Sequence, residues 1–313
     1  MNFLCKNKLY AKRVLFNVLA IIAIYFLIYK FNLLNFPHLS FNNFHVKSFV
    51  IVFFVIFFSS LRFLLIAKKF DLKLNYLKAL KVTSLSGLFF FILPGSIGAE
   101  VSRYFLLKKD DISKSSIVAV ILIDRLFALF SQLLIVATIL LSLLYHKKYF
   151  FVLYLILIAF LCLLIIFFAT LKMPDFLVRK LKKLKLYNVA TKIKKYFSGN
   201  LLHLFSMLFF SVSVNFFLVA SIYLIINEQF LSHFNFFKIA LITISSNIVS
   251  VIPVTPGGAG TSEYFFNFLG NQVNLEDMHW VTAAYIILRL ITFLANGIIF
   301  SLASLYSQIF KNA

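Results

Sequence analysis

The chain has 313 residues, of which 62% are hydrophobic, and it carries a formal net charge of +21 at pH 7. This apolar content exceeds the need of a soluble core, and the apolar runs have helix length. An all-α polytopic membrane protein is therefore predicted, and a β-barrel is excluded. The basic residues flank the apolar runs rather than forming a basic domain, which favours loops on anionic lipid and disfavours nucleic-acid binding.

In chain order, six apolar segments are predicted to cross the membrane completely: 13–31, 48–67, 117–144, 149–171, 201–226 and 281–309. Between the second and third of these, lysines and leucines alternate over 68–81, which predicts an amphipathic helix at the interface. It leads into an apolar segment that is interrupted by proline and glycine at 94–95, and a second interrupted segment covers 236–269. Proline and glycine stop helices, and at membrane depth the freed backbone groups must face protein or water. Each interrupted segment is therefore expected to form a re-entrant hairpin.

The two interruptions share a pattern. Residues 94–100 read Pro-Gly-Ser-Ile-Gly-Ala-Glu and residues 256–263 read Pro-Gly-Gly-Ala-Gly-Thr-Ser-Glu. About thirty residues after each Pro-Gly, an Arg-Leu pair lies inside a long apolar segment, at Arg125 and at Arg289. The positive-inside rule places both termini in the cytoplasm, so that the first hairpin enters from the cytoplasm and the second from outside. We therefore predict one membrane domain over 1–313, built from an inverted-topology repeat with units 76–145 and 236–309.

The tips of the two hairpins are candidates for binding an anion. Their glycines and a threonine leave N–H groups at the start of each returning half-helix, where the helix dipole favours phosphate or carboxylate. These residues are Gly95, Gly98, Thr255, Gly257, Gly258 and Gly260. No Lys-Ser/Thr follows the glycines, so a P-loop is not indicated. The alternative is that the glycines only permit close helix packing.

Several charged residues are expected at membrane depth, where ionisable groups must be paired or hydrated. They are Glu100, Arg103, Asp124, Arg125, Glu263 and Arg289. In one interpretation, Glu100–Arg125 and Glu263–Arg289 pair and hold each hairpin against its following helix. In the other, the arginines bind a ligand, and both hold if a pair opens to accept an anionic head group. Arg62, near the inner end of its segment, is expected to extend to the interface.

Other features give weaker indications. The basic amphipathic stretch 172–200 favours a helix on anionic lipid, and a binding site for a cytoplasmic partner is the alternative. The two cysteines and six histidines are scattered, so neither a disulfide nor a metal site is expected, and no cofactor is implied. Ser262 follows a glycine-rich turn but lacks a suitable base, so a serine nucleophile is not expected. With no catalytic or ATP-binding motif visible, a transporter is favoured over an enzyme.

Four blocks in chain order carry a family resemblance: 94–103, 124–126, 253–263 and 288–292. Together they resemble the lysylphosphatidylglycerol synthetase transmembrane (flippase-like) family over nearly the whole chain. The most specific block is Thr-Pro-Gly-Gly-x-Gly-x-x-Glu at 255–263. Two positions depart from the family pattern, since Asp124 stands where glutamate is usual and Ala99 stands where glycine is usual.

In those synthetases the membrane domain is fused to an aminoacyl-tRNA-dependent transferase and moves the modified lipid across the bilayer. Since this chain ends at Ala313, the resemblance implies the translocation half without the synthetic half. We therefore expect a lipid flippase of a bacterial cytoplasmic membrane that binds an anionic phospholipid or a polyprenyl-phosphate lipid near the midplane. Arg103, Arg125 and Arg289 would meet the head group, with the two glutamates as their partners.

Two alternatives belong to other classes of protein. The first is the membrane subunit, or acceptor-lipid site, of a separately encoded glycosyl- or aminoacyl-transferase bound through 172–200. The second is a structural membrane scaffold. Tolerance of the loss of Arg125 and Arg289 would favour the scaffold.

Overall fold

The structure, which is a computed structural model, forms helices in the apolar segments that it describes. It describes residues 43–70, 72–93, 97–108, 112–144, 182, 187–229, 234–252, 254–275 and 277–309. In these ranges every regular element of more than one residue is an α-helix, and the helices in chain order are as follows. They are α1 (Asn43–Lys68), α2 (Tyr76–Ile92), α3 (Ile97–Leu107), α4 (Lys114–Leu144), α5 (Tyr187–Phe197), α6 (Leu201–Gln229), α7 (Phe236–Ser250), α8 (Thr261–Gln272) and α9 (Met278–Ile309). Residues 46–313 form one compact unit, and the relationships below are those within it.

Four of these helices are long and apolar enough to cross a membrane. The qualifying stretches are Val46–Lys68, Lys114–Leu140, Leu201–Asn227 and Trp280–Ser307. They correspond to four of the six predicted spans, which confirms a helical membrane protein. The other two predicted spans, 13–31 and 149–171, lie outside the described residues, as do residues 172–181 and 183–186 of the basic stretch, so the full count stays a prediction.

Two pairs of short helices occupy the interrupted segments, α2 with α3 and α7 with α8. In each pair the second helix packs back on the first. Leu93 is extended (φ −105°, ψ 157°) directly after α2, because a residue that precedes proline is pushed out of the helical region. The prediction of a broken helix is therefore confirmed in both segments, whereas Pro94, Gly95, Ser96 and Pro253 lie outside the described residues.

The prediction of one amphipathic helix over residues 68–81 is wrong. Helix α1 ends at Lys68, residues 72–75 are not helical, and α2 begins at Tyr76. The side chain of Asn75 accepts a hydrogen bond from the Lys78 amide (3.0 Å) and so caps α2. An N-cap residue has extended backbone, which starts a new helix at this point instead of continuing the old one.

Each broken pair also packs against the long helix that follows the other pair. Helix α2 lies along α9, where Phe91 meets Phe293 edge to face with ring centroids 5.6 Å apart. Gly87 is needed at this contact, because a Cβ there would lie 2.5 Å from Oδ1 of Asn296. In the same way, α7 packs against α4. The two broken pairs, α2–α3 and α7–α8, therefore pack together with the long helices α4 and α9.

Helix α5 lies in the described part of the basic stretch 172–200, and it is amphipathic as predicted. Its buried residue Tyr196 stacks on Phe70 (centroids 5.7 Å apart) and shares a hydrogen bond with Nε2 of His203 (2.9 Å). Burial raises the pKa of the Tyr196 phenol, so the phenol stays neutral. One turn earlier on the same face of the helix, Nζ of Lys192 donates to three serine hydroxyls at the start of α4. An apolar anchor and a polar anchor thus hold α5 against the helical core.

Candidate functional site

Asp124 is the centre of the first of two buried charge networks. It lies in the middle of α4 and is 1% exposed. Its two carboxylate oxygens accept separate charge-assisted hydrogen bonds, from Nε of Arg62 on α1 (2.7 Å) and from Nη1 of Arg103 on α3 (2.6 Å). A carboxylate this deeply buried is stable only when its oxygens are paired. Asp124 therefore joins α1, α3 and α4 at one point.

The two arginines of this network are bonded further. Arg62 donates through Nη1 to the Ser211 hydroxyl of α6 (3.0 Å), and Arg103 donates through Nε to the Ser86 hydroxyl of α2 (3.0 Å). The guanidinium of Arg103 also lies over the ring of Phe63, 5.0 Å from its centroid. The network thus extends to five helices, which gives it a structural role.

The expectation that the Arg62 side chain extends to the membrane interface is wrong, because the side chain is buried in the protein. It is 4% exposed, and its guanidinium pairs with the buried carboxylate of Asp124. Asp124 lies 62 positions further along the chain, so only the packing of α1 against α4 brings the two together. One sequence feature indicated this pair. Asp124 is an acidic residue inside an apolar segment, and neither of the two predicted ion pairs includes it.

Arg125 and Glu100 form the exposed edge of the same network. Nε of Arg125 lies 3.0 Å from Oε1 of Glu100, and the side chains are 22% and 32% exposed. The contact is an ion pair without the angle of a hydrogen bond, since Nε of Arg125 is buried and has no hydrogen-bond partner among the described residues. Arg125 is therefore less completely bonded than either Arg62 or Arg103.

The charges of the first network do not balance. Arg62, Arg103 and Arg125 supply three positive charges, whereas Asp124 and Glu100 supply two negative charges. One positive charge is left over in a largely apolar setting, where an uncompensated cation is costly. The exposed position of Arg125 is the place where a further anion could approach.

Arg289 is the centre of the second network, and this network is balanced. Its Nη1 pairs with Glu263 and donates to the Ser262 hydroxyl (2.6 Å), while its Nη2 donates to the carbonyl oxygen of Gly257. The guanidinium lies over the ring of Phe91, 5.7 Å from its centroid. Arg289 thereby joins α9 to α8, to the loop before α8 and to α2.

Glu263 also shapes the start of α8. Its Oε2 accepts a hydrogen bond from the backbone N–H of Gly260 (2.7 Å) and another from the Ser262 hydroxyl (3.0 Å). The N–H groups at this tip are thus partly satisfied by the protein's own carboxylate. An acidic residue in the first turn of a helix is also favoured by the helix dipole.

The loop before α8 depends on glycine. Gly257, Gly258 and Gly260 all have positive φ (58°, 73° and 85°), a region that side chains disfavour. A Cβ on Gly258 would lie 2.7 Å from Cα of Ser250, at the end of α7. Gly98 differs, because it lies within α3 and lets α3 approach the end of α2. A Cβ there would lie 2.6 Å from the Phe89 carbonyl oxygen.

The structure thus brings the predicted site residues together in two groups. Both pairs considered from the sequence, Glu100–Arg125 and Glu263–Arg289, are present. Asp124 and Arg103 belong to the first group. Thr255 lies in the second hairpin's tip, and its buried hydroxyl has no partner among the described residues. Gly95 lies outside the described residues.

Comparison with known proteins places the chain in a lipid-related family. The family model described as the lysylphosphatidylglycerol synthase TM region matches residues 14–299, which confirms the resemblance seen in the four sequence blocks. No curated protein and no solved structure matches the chain.

Proposed function

The chain belongs to the lysylphosphatidylglycerol synthase TM family, and from this premise we propose that it binds an anionic, phosphate-bearing lipid head group at Arg125. Helices of membrane-spanning length and the family match support a lipid-related membrane protein. The head-group site and the movement of lipid across the bilayer are the further steps of the proposal.

The observation that carries the proposal is the unbalanced charge of the first network. Arg125 is the most exposed of its three arginines and has a buried Nε without a hydrogen-bond partner. A monoanionic phosphodiester would restore neutrality, and guanidinium is well suited to phosphate oxygens. By contrast, Arg289 has its charge balanced by Glu263 and its donors bonded to Ser262 and Gly257.

The surface beside Arg125 favours an amphiphile over a free anion. Leu122 and Leu126, close to Arg125 on α4, are exposed, and so is Val101 next to Glu100 on α3. Exposed apolar side chains on a membrane helix face acyl chains. A lipid could therefore place its phosphate on Arg125 while its chains stay against the leucines.

The other predicted residues take supporting roles in this proposal. Glu100 is the ground-state partner of Arg125, and it stays beside Arg125 when the phosphate supplies the missing negative charge. Arg103 and Asp124 hold Arg125 in position, because they fix α3 against the helix that carries it. Arg289 and Glu263 hold the second tip against α2.

The depth and symmetry of the site support a path across the membrane. Arg125 follows the start of α4 by eleven residues, and Arg289 follows the start of α9 by eleven residues. At 1.5 Å per residue each lies about 16 Å into its helix, roughly half of a 30 Å bilayer core. We infer an inverted-topology repeat whose tips meet near the midplane of a bacterial cytoplasmic membrane, with both termini on the cytoplasmic side.

Lipid binding by the purified full-length protein tests the proposal. Native mass spectrometry would compare wild type with Arg125→Gln, using phosphatidylglycerol as the probe lipid. Loss of a charge-assisted contact is expected to weaken binding by about tenfold or more. The control is Lys114→Gln, which removes one exposed positive charge from the same helix and is expected to bind as wild type does.

Arg289→Gln provides the matched comparison between the two networks. It is expected to lower the unfolding temperature more than Arg125→Gln does, because it breaks the contacts that join three parts of the fold. Phosphatidylglycerol binding by Arg125→Gln at the wild-type level would contradict the proposal, since the leftover charge would then have no ligand role.

A further inference from the structure

The second charge network depends on one carboxylate. Within the described part of this network, Glu263 supplies the negative charge and Arg289 the positive charge. Oε1 of Glu263 pairs with the guanidinium, while Oε2 accepts from the Gly260 N–H (2.7 Å) and from the Ser262 hydroxyl (3.0 Å). Loss of the charge on Glu263 would therefore leave Arg289 as an uncompensated cation, which is costly in an apolar setting.

Arg289 carries the contact between the two hairpin tips. Its Nη2 donates to the carbonyl oxygen of Gly257, and its guanidinium lies over the ring of Phe91 on α2. The backbone N–H of Gly257 donates in turn to the carbonyl oxygen of Leu93 (3.3 Å). Arg289 thus holds Gly257 against the end of α2, and Glu263 holds Arg289. We name these contacts of Glu263, Arg289, Gly257, Phe91 and Leu93 the tip latch.

Three described carboxylates lie in the two networks, and Glu263 is the one whose charge controls the latch. Asp124 is bonded to two arginines and is 1% exposed, which shields it from protons. Glu100 is partly exposed, but it pairs with Arg125 of the first network. Glu263 has one cationic partner, and its side chain is 12% exposed. It is therefore both accessible and needed for the contact between the tips.

Few other ionisable groups face Glu263. On α9 they are Arg289 and the phenol of Tyr285. On α7, which also packs on α8, the single ionisable residue is Lys238, in the first turn and far from the tip. The last two turns of α2 contain no ionisable residue, and Tyr264 of α8 is exposed. Arg289 is thus the charge that decides what protonation of Glu263 does.

We propose that Glu263 is a proton-binding site whose protonation opens the tip latch. A proton from water would go to Oε1, the oxygen that pairs with Arg289, and would leave at most a neutral hydrogen bond there. Arg289 would then leave Gly257 and Phe91 for water or for another anion, because its free charge is costly where it lies. The ligand is a proton and the site is separate from Arg125, so the inference goes beyond the proposed function.

Proton binding and opening of the latch are linked in both directions. If protonation of Glu263 favours the open latch, then opening favours protonation by the same factor. Separation of the two tips would thus place a proton on Glu263, and closure would release it. Carboxylates inside membrane helices commonly serve as proton relays. The latch would therefore give the protein a step that is coupled to an ion.

Amide hydrogen exchange of the full-length protein in detergent tests the latch without any lipid. Peptides that cover 254–262 contain the N–H groups of Gly257 and Gly260, which the latch protects. Their protection, corrected for the pH dependence of intrinsic exchange, is compared at about pH 7 and about pH 4.5. Wild type is expected to lose protection by about tenfold or more at the lower pH. Peptides from α4 are the internal reference and are expected to change little.

Two variants assign the effect to a residue. Glu263→Gln is neutral at every pH, so peptides 254–262 are expected to show the low protection of the acid form at both pH values. Glu100→Gln is the matched control, since it removes a carboxylate that pairs with the corresponding arginine of the first network. It is expected to keep the pH dependence of wild type.

Several results would overturn the proposal. The first is protection of 254–262 in wild type that does not change with pH, and the second is an equal loss in α4, which would mean that acid unfolds the whole protein. The third is full protection of Glu263→Gln at neutral pH, and the fourth is loss of the pH dependence in Glu100→Gln. If Glu263→Gln does not fold, wild type and Glu100→Gln still decide. Lipid binding at Arg125 is measured separately, so either proposal can fail alone.

Discussion

The carbonyl oxygen of Leu93 accepts a hydrogen bond from the backbone N–H of Gly257, with 3.3 Å between the two atoms, so the two broken helical pairs touch at their tips. Arg289 reinforces this contact, because it donates to the Gly257 carbonyl oxygen while its guanidinium lies over Phe91 of α2. Two sequence segments more than 160 positions apart are thereby locked to each other.

The glycines of the second tip should differ in their tolerance of alanine. Gly258→Ala is expected to destabilise the protein by about 2 kcal/mol or more, because its Cβ would collide with Cα of Ser250 and its φ is positive. Gly260→Ala meets nothing within 4 Å and should cost only the backbone strain of about 1 kcal/mol. Thermal unfolding in detergent measures both, and equal losses would show that steric contact at Ser250 is unimportant.

Asp124 should be far more sensitive than Glu100. Asp124→Asn leaves the buried Arg62 and Arg103 without an anion and is expected to cost about 3–5 kcal/mol, the typical result of breaking a buried ion pair. Glu100→Gln breaks a pair that is partly exposed, so its cost should be about 1 kcal/mol or less. Unfolding temperatures of the two variants give the comparison. Similar values would mean that the Asp124 network is not a structural centre.

A cross-link between α2 and α9 should separate binding from movement. If the two proposed repeat units rock against each other, α2 and α9 must slide, and Phe91 and Phe293 meet at this interface. A Phe91→Cys/Phe293→Cys protein joined by a short reducible reagent is expected to keep phosphatidylglycerol binding and to lose lipid movement across the bilayer of reconstituted vesicles. Reduction should restore movement.

The singly substituted proteins, treated with the same reagent, are the controls for that experiment. Undiminished lipid movement in the cross-linked protein would contradict rocking at this interface. Loss of binding together with movement would mean that the reagent disturbs the Arg125 site itself.

Lys192 is expected to hold α5 against the start of α4. Its Nζ bonds to the hydroxyls of Ser113 (2.8 Å), Ser115 (2.9 Å) and Ser116 (2.7 Å). Lys192→Met should speed amide hydrogen exchange in α5 by about tenfold or more, because hydrogen bonds to a charged group contribute about 1.5–3 kcal/mol. Lys195→Met, on the exposed side of the same helix, is expected to change nothing, and equal effects would show that general charge matters rather than this contact.

Much of the local organisation followed from the sequence. A proline followed by glycine stops a helix in an apolar segment, so the breaks near Leu93 and Gly257 could be predicted from residue type alone. The pairs Glu100–Arg125 and Glu263–Arg289 could also be predicted, since a glutamate that begins a returning half-helix lies close to the arginine of the next long helix. The family could be recognised from the resemblance of four sequence blocks that contain these residues, and the family model matches residues 14–299.

The sequence by itself determined the membrane class, the helix breaks and these local pairs, because residue composition and short spacings decide them. Only the tertiary structure decided that Arg62 pairs with Asp124 and that α2 lies along α9. Such contacts join residues distant in the chain, and periodicity reports which face of a helix is apolar but not which helix covers it. For the same reason the sequence led to a wrong prediction for Arg62. An arginine near the end of an apolar segment is expected at the membrane interface, and only the packed structure shows its contact with Asp124 of α4.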